Sequence, residues 1–245
     1  MSDPVAVPLM MRMAAHPLRW ALMTELAAGD RRVRELVTAV DEPQNLVSYH
    51  LRLLRTAGLV VARRSSFDGR DSYYHLDLAR CAEAFGEAAG ALHPALAPAD
   101  RGEAEDRGYP RGRSVLFLCT GNSARSPMAE ALLRHRVEGV LVTSAGSHPA
   151  RRLHPNTVRV LHEDYGIALG PSQPQSLDAV AGRRFDHVIT LCDKIREVPR
   201  DHGSAVNTHW SLPDPSAGAD SDQAAYPEFR RLATELDTRI RFLAL

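Results

Sequence analysis

The chain has 245 residues, 44% of them hydrophobic, and a formal charge of zero, so it can bury one large core or two small ones, and any charged partner has to be read from local clusters. No apolar run approaches the roughly 20 residues needed to cross a bilayer. The opening MSDPVAVPLMMRMAAHPLRW lacks a basic start followed by an apolar block and cleavage site; no membrane partner is expected, and the expected location is the cytoplasm. Three scattered cysteines, Cys81, Cys119 and Cys192, exclude a disulfide framework and favour catalytic or redox use in a reducing compartment.

In chain order, Pro17 to Ala27 places Trp20, Leu22, Met23 and Leu26 on one helical face, and Arg32 to Val40 does the same with Val33, Leu36, Val37 and Val40. A break at Asp41, Glu42 and Pro43 precedes a third helix, Gln44 to Thr56, patterned through Leu46, Val47, Leu51 and Leu54 and stopped by Gly58. Leu59 to Ala62 and Tyr73 to Leu76 read as short strands joined through SSFDGRDS, whose Asp-Gly pair signals a hairpin. A helix over Leu78 to Leu92 closes this part.

The stretch from His93 to Arg113 is rich in Pro, Gly, Ala and charge without apolar periodicity, and is expected to be a linker. The predicted organisation is therefore a domain over 1–92, a linker over 93–112 and a second domain over 113–245. Beyond the linker, Ser114 to Leu118 (SVLFL) reads as a strand buried on both faces. It runs into CTGNSARS, with Ser126 expected at a helix cap and Pro127 in the first turn.

A strand, an anion-cradling loop and a helix amino terminus form a nest of backbone N–H groups. Such a nest holds a tetrahedral oxyanion and keeps a cysteine at its edge in the nucleophilic thiolate form. Five residues, Thr120, Gly121, Asn122, Ser123 and Ala124, separate Cys119 from Arg125, enough to wrap the anion so that sulfur sits beneath its central atom while the guanidinium forks two oxygens. Gly121 allows close backbone approach, Asn122 tolerates a left-handed conformation that turns its N–H inward, and Ser126 can donate to the thiolate.

Two resemblances follow. Two helices joined by a tight turn and followed by a hairpin describe a winged helix-turn-helix. PQNLVSYHLRLLRTAGLV with its arginine-bearing wing resembles the arsenic-repressor (ArsR) family of dimeric regulators. From Pro43 to Arg70 there are five arginines, Arg52, Arg55, Arg63, Arg64 and Arg70, against one acid, Asp68. These suit phosphates, while Gln44, Asn45, Ser48, Tyr49 and His50 suit base edges or backbone. The alternatives are an ordinary solvated face or a winged helix used for protein contacts. His50 alone reads as a polar face residue rather than a metal ligand. Family members often sense arsenite through a Cys-x-Cys pair in the first helix of the motif; RELVTAVDE stands there instead, and Cys81, alone in the last helix, reads as a small buried residue or as one half of a site shared across a dimer.

CTGNSARSPMAEALL, with TSAGS after the next strand and a late Asp-Pro, resembles the low-molecular-weight tyrosine phosphatase fold, shared by those phosphatases and the thioredoxin-coupled arsenate reductases. The resemblance spans Arg113 to Leu245. It implies an α/β domain with a four-stranded parallel sheet flanked by helices, with Asp186 to Leu191 and Val206 to His209 as later strands and Tyr226 to Leu245 as the closing helix. The whole chain is then an α+β winged helix-turn-helix followed by this α/β fold.

By the same resemblance Asp214 in SLPDPS stands at the position of the general acid, against its ordinary reading as a turn, and Cys192 after HVITL matches a second redox cysteine, against its reading as packing. CDKIREVP carries no third cysteine, Val198 preceding Pro199, so a full intramolecular thiol relay is not expected. The phosphatases place aromatics after the Asp-Pro to wall a phenyl ring; DPSAGADSDQ has none, which favours arsenate over phosphotyrosine.

The expected protein is an arsenic-resistance fusion, a repressor that dimerises on operator DNA joined to an arsenate reductase. It needs no metal or bound cofactor and draws on an external thiol: mycothiol with a redoxin, which the Arg- and Ala-rich, Lys-poor composition of a GC-rich genome favours, or glutathione or thioredoxin. The alternatives are a low-molecular-weight protein tyrosine phosphatase fused to a regulator, and a transcription factor whose loop only senses an oxyanion.

Overall fold

The computed structural model describes residues 7–97, 112–170, 173–197 and 204–243. Most of the expected linker, and Val198 with Pro199, lie outside them. Apart from three wing residues, Ser66–Asp68, the chain divides into one compact unit up to Glu105 and another from Asp106.

The first unit runs α1 Leu9–Ala14, α2 Pro17–Ala27, β1 Arg31–Arg32, α3 Val33–Val40, α4 Gln44–Thr56, β2 Val60–Arg64, β3 Ser72–Leu76 and α5 Leu78–Leu92. Asp41, in the left-handed region at φ 51°, ends α3, and Pro43 begins the next helix two residues on. Gly58, at φ 72°, ends α4 and lets Leu59 N–H reach the Leu54 carbonyl at 3.0 Å. β2 and β3 pair antiparallel from Val60↔Leu76 to Arg64↔Ser72, and β1 adds to the other edge of β3. α1 and β1 are additions to the expected elements, each too short for its periodicity to stand out.

The helices bury Leu18, Leu22, Met23 and Leu26 from α2, Leu36 from α3, and Val47, Leu51 and Leu54 from α4. Two expected core positions are corrected: Trp20 is 52% exposed and Leu46 is 37% exposed. Spacing explains both, because Leu18, Leu22 and Leu26 step by four along α2 and leave Trp20 on the far side, while Val47, Leu51 and Leu54 do the same to Leu46. Cys81 is buried, and that burial, with Asp77 nearby, pushes its thiol up to about 11, which suits a packing residue.

The second unit contains β4 Ser114–Cys119, α6 Arg125–Arg136, β5 Leu141–Gly146, α7 Pro155–Tyr165, β6 Phe185–Thr190, α8 Asp193–Glu197, β7 Ser204–His209 and α9 Asp222–Arg241. The four strands are parallel in the order β5-β4-β6-β7. Val115 to Cys119 are all buried, as a central strand covered on both faces requires. The register aligns Cys119 with Gly146, Leu118 with Thr190, and Thr190 with His209, so the carboxyl ends of all four strands meet at one edge. β4 has its successor β5 on one side and β6 on the other, making its end the switch point where parallel sheets open a crevice.

Most boundaries shift by one or two residues from expectation, and two of the differences have a visible cause. α9 begins at Asp222, ahead of Tyr226, because the Ser221 hydroxyl accepts from Ala224 N–H at 3.2 Å and caps it there. The cap of α6 is Ala124 and not Ser126; the Ser126 hydroxyl is occupied elsewhere.

Candidate active site

β4 delivers Cys119 to the sheet edge, and the following loop wraps back so that α6 starts at Arg125. The loop carbonyls are taken by a belt of residues that follows β5. Ser147, His148, Ala150 and His154 N–H groups donate to the carbonyls of Cys119, Thr120, Gly121 and Ser123 at 3.3, 2.9, 2.9 and 3.0 Å. Thr157 Oγ1 also donates to Ser123 O at 2.9 Å. Carbonyls turned outward leave amides turned inward, and none of the described partners takes the N–H groups of Gly121, Ser123 or Ala124.

Asn122 organises the interior. Its backbone is left-handed at φ 44°, which aims its N–H at Cys119 Sγ, 3.3 Å away. Its side-chain amide donates to Ser126 Oγ at 2.9 Å and Ser144 Oγ at 2.8 Å, and its Oδ1 accepts from Gln175 N–H at 2.7 Å. Ser126 Oγ is 3.0 Å from Cys119 Sγ. Because Ser126 oxygen already accepts from Asn122, its own hydrogen is free to point at the sulfur.

Arg125 is buried, with Nη1 donating to Leu212 O at 3.1 Å and Nη2 paired with Asp214 Oδ2 at 3.0 Å. Asp214 is half exposed, and Ser216 N–H and Oγ donate to its other oxygen at 3.0 and 2.7 Å. Burial alone would raise this carboxyl; Arg125 and the Ser216 hydrogen bonds outweigh it and hold it below the ordinary carboxylate range. Cys192 is buried 3.3 Å from Thr120 Oγ1, and burial raises its thiol against the opposing pull of Arg125 and Thr120. Three hydrogen-bonded groups result, Cys119 with Asn122 and Ser126, Thr120 with Cys192, and Arg125 with Asp214, joined through the backbone of the loop.

Several members carried no signal of their own. Ser144 and the Gln175 amide matter only through Asn122, and Leu212 contributes a carbonyl that any residue has. Gly146 was visible only as part of TSAGS. A Cβ there would lie 2.6 Å from Thr120 O and 2.8 Å from Asn122 N, whereas one at Gly121 meets only Ser123 Oγ at 3.4 Å. The sterically obligatory glycine is therefore outside the loop, in β5.

In the first unit Gln44, Asn45, Ser48, Tyr49, Arg52 and Arg55 are exposed along α4, and Arg64 and Arg70 are exposed at the wing, with Arg63 half-buried. Arg52 lies over the Tyr49 ring at 5.6 Å, and Arg64 donates to Gly69 O at 2.7 Å. His50 is corrected: it is 4% exposed and its ring sits 4.3 Å from that of His16, so it cannot reach DNA. It shares the buried face of Val47, Leu51 and Leu54 by helical spacing. Among the described residues no group of three or more His, Cys, Asp or Glu side chains is placed to hold a metal ion, and no helix is long and apolar enough to cross a membrane.

Residues 114–244 match the family described as low molecular weight phosphotyrosine protein phosphatase, and residues 16–61 match that described as bacterial regulatory protein, arsR family. An arsenate reductase of Brevibacillus brevis is 32% identical over 133 residues, covering 54% of this chain and 94% of that protein. One from Bacillus licheniformis is 33% identical over 134 residues, covering 54% and 95%. The solved structure of an arsenate reductase from Archaeoglobus fulgidus aligns with 31% identity over 52% of this chain and 95% of that one, at a TM-score of 0.43.

Proposed function

Because the chain belongs, through residues 114–244, to the low molecular weight phosphotyrosine protein phosphatase family, we propose that this part is a thiol-dependent arsenate reductase, joined to a DNA-binding repressor over residues 1–92 by a linker over 93–112. The observation that carries the enzymatic reading is the Cys119 sulfur held by Asn122 N–H and Ser126 Oγ at the mouth of an inward-facing amide nest, with Arg125 in the same site. These contacts fix the sulfur where a cysteine can act as a nucleophile on an anion held in the nest. Amides and guanidinium favour the added charge of an oxyanion.

In the proposed reaction, Cys119 thiolate attacks arsenic(V) and an arsenic–oxygen bond breaks; the bound oxyanion draws Arg125 away from Asp214, whose carboxyl, released from that ion pair, then carries the proton that lets the oxygen leave as water. A second thiolate, from Cys192 or an external thiol, then attacks Cys119 sulfur. The sulfur–arsenic electron pair stays on arsenic, which departs as arsenite, and the disulfide is returned to thiols by an external dithiol or two monothiols. The relatives named arsenate reductase and the absence of aromatics in DPSAGADSDQ favour arsenate over an aryl phosphate.

The test is direct. Purified full-length protein with mycothiol, glutathione or thioredoxin and an NADPH-coupled reductase is expected to consume NADPH on adding arsenate. Failure with every donor, alongside Cys119-dependent hydrolysis of an aryl phosphate, would establish the phosphatase instead. Asp214→Asn, which removes the proton donor, is expected to lower kcat by about 10²-fold or more. An unchanged kcat would remove Asp214 from the mechanism.

For the repressor half, exposed Gln44, Asn45, Ser48 and Tyr49 face DNA bases or backbone, and Arg52, Arg55, Arg63, Arg64 and Arg70 its phosphates. α1 and α5, whose Leu9, Met11, Phe85 and Leu92 are exposed, supply the apolar surface for a homodimer. Replacing Arg52, Arg55 and Arg64 together by Ala should weaken binding to a duplex from the protein's own promoter. It should also flatten log K against log[salt] by up to about 3, since each phosphate contact contributes about 0.9. An unaltered slope in a titration by fluorescence anisotropy would move the DNA surface elsewhere.

A further inference from the structure

His209 ends β7 and is buried, 4% exposed, yet the chemistry above gives it no task. Its ring spans the turn that carries Cys192. Nε2 is 3.2 Å from Asp193 Oδ1, while Nδ1 is 2.8 Å from Thr190 Oγ1 and 3.1 Å from Thr190 O. The Asp193 carboxylate accepts only, so Nε2 carries the proton and donates. Burial alone would push the Asp193 carboxyl up, but hydrogen bonds led by that from His209 hold it at about 2.

One imidazole therefore bridges the residues on both sides of Leu191–Cys192. The turn is tied to the sheet as well, through Leu191 N–H on Leu118 O at 2.7 Å and Trp210 N–H on Thr190 O at 2.9 Å. Those bonds hold the strand end. Beyond Leu191 the side-chain link from β7 reaches Asp193, and Cys192 lies between, with its sulfur 3.3 Å from Thr120 Oγ1 in the oxyanion loop.

We propose that His209 is a positioning residue for Cys192, holding the Thr190–Asp193 turn so that the Cys192 thiolate is presented to Cys119. This rests on the arsenate reductase reading and assigns the second thiolate to Cys192. In that step Cys192 sulfur attacks Cys119 sulfur, the Cys119–Cys192 disulfide forms, and the sulfur–arsenic bond breaks with its electron pair on arsenic. Two electrons pass from the thiolate pair to arsenic, which leaves as arsenite after taking up protons from solvent. An external thiol later reduces the disulfide.

The experiment uses the full-length reduced protein mixed with arsenate without external thiol, quenched by alkylation and analysed by mass spectrometry for the Cys119–Cys192 disulfide. A parallel measurement follows alkylation of Cys119 by iodoacetate and its protection by inorganic phosphate, which reports on the oxyanion loop alone. His209→Ala is expected to slow disulfide formation by about 10²-fold, the scale of an ångström misplacement of a reacting group, and to leave Cys119 alkylation and phosphate protection unchanged. His209→Gln, which keeps a donor and an acceptor, is expected to recover most of the rate. Thr190→Val, which at constant shape removes the hydroxyl's contacts with His209 Nδ1 and, at 3.4 Å, with Thr208 O, gives a second slow variant should His209→Ala not fold.

Equal disulfide rates in wild type, His209→Ala and Thr190→Val overturn the proposal. So does parallel loss of alkylation and disulfide formation, which marks a general structural role. Wild type that makes arsenite with external thiol but never forms the Cys119–Cys192 disulfide overturns the assignment of Cys192 and leaves the reductase standing. No arsenite with any thiol is the separate failure of the reductase reading.

Discussion

Cys119→Ser should abolish turnover, lowering arsenate reduction by at least about 10³-fold, the scale seen when an enzyme loses its nucleophile. A serine hydroxyl is almost wholly protonated at neutral pH and lacks the redox chemistry of sulfur, so neither the covalent adduct nor the disulfide can form. The fold should survive. The side chain is 2% exposed, but its neighbours Ser126 Oγ and Asn122 N–H, at 3.0 and 3.3 Å, suit a hydroxyl as well as a thiol. Phosphate binding should persist too, since amides and Arg125 remain. The measurement pairs the NADPH-coupled assay with calorimetric titration of phosphate. Appreciable residual reduction would show that another thiol attacks arsenic and that Cys119 serves only as part of the cradle.

Gly146→Ala should be nearly as damaging without touching any reacting group. The added methyl would sit 2.6 Å from Thr120 O, 2.8 Å from Asn122 N and 3.0 Å from Asn122 Cβ. The two closest atoms are backbone, and neither is free to yield. Thr120 O accepts from His148 N–H at 2.9 Å, and Asn122 N–H points at Cys119 Sγ. Gly146 itself is paired with Cys119 in the sheet. Relief requires loop and strand to part, which costs about 1–3 kcal/mol as overpacking and about 10²-fold in kcat/KM if the cradle shifts by an ångström. Gly170→Ala, with nothing within 4 Å of its added methyl, is the control. Thermal unfolding and steady-state kinetics on both variants separate the two effects. A Gly146→Ala protein as active as the control would mean that the loop geometry is looser than its contacts indicate.

Much of the site was legible because its chemistry is local. Cys119 through Arg125 lies in one loop between a strand and a helix, so spacing alone brings sulfur, amides and guanidinium together. The left-handed tolerance of Asn122 and the reach of Ser126 to sulfur follow from residue type and separation, and φ 44° and 3.0 Å agree with them. Where the contacts are long-range, the pattern was silent. Asn122 is held through Ser144 and Gln175, twenty-two and fifty-three residues away. His209 reaches Thr190 and Asp193 only because β6 and β7 lie side by side.

The sequence by itself determined the helices and hairpin of the first unit and the buried strand before the Cys-x5-Arg loop, since their spacing is written in neighbouring residues, while the four-stranded parallel sheet followed from the resemblance that the second unit's motifs carry. It also placed Cys119 and the residues that surround it within one loop. Only the tertiary structure decided which side of α2 and α4 faces inward, and with it that Trp20 is exposed and His50 buried. It alone decided that the essential glycine stands in β5 and that Arg125 carries Asp214. The reason is physical: close packing and hydrogen bonding between elements depend on which backbones the sheet brings within a few ångströms, and that distance is set by the assembled strands and not by any stretch of chain taken alone.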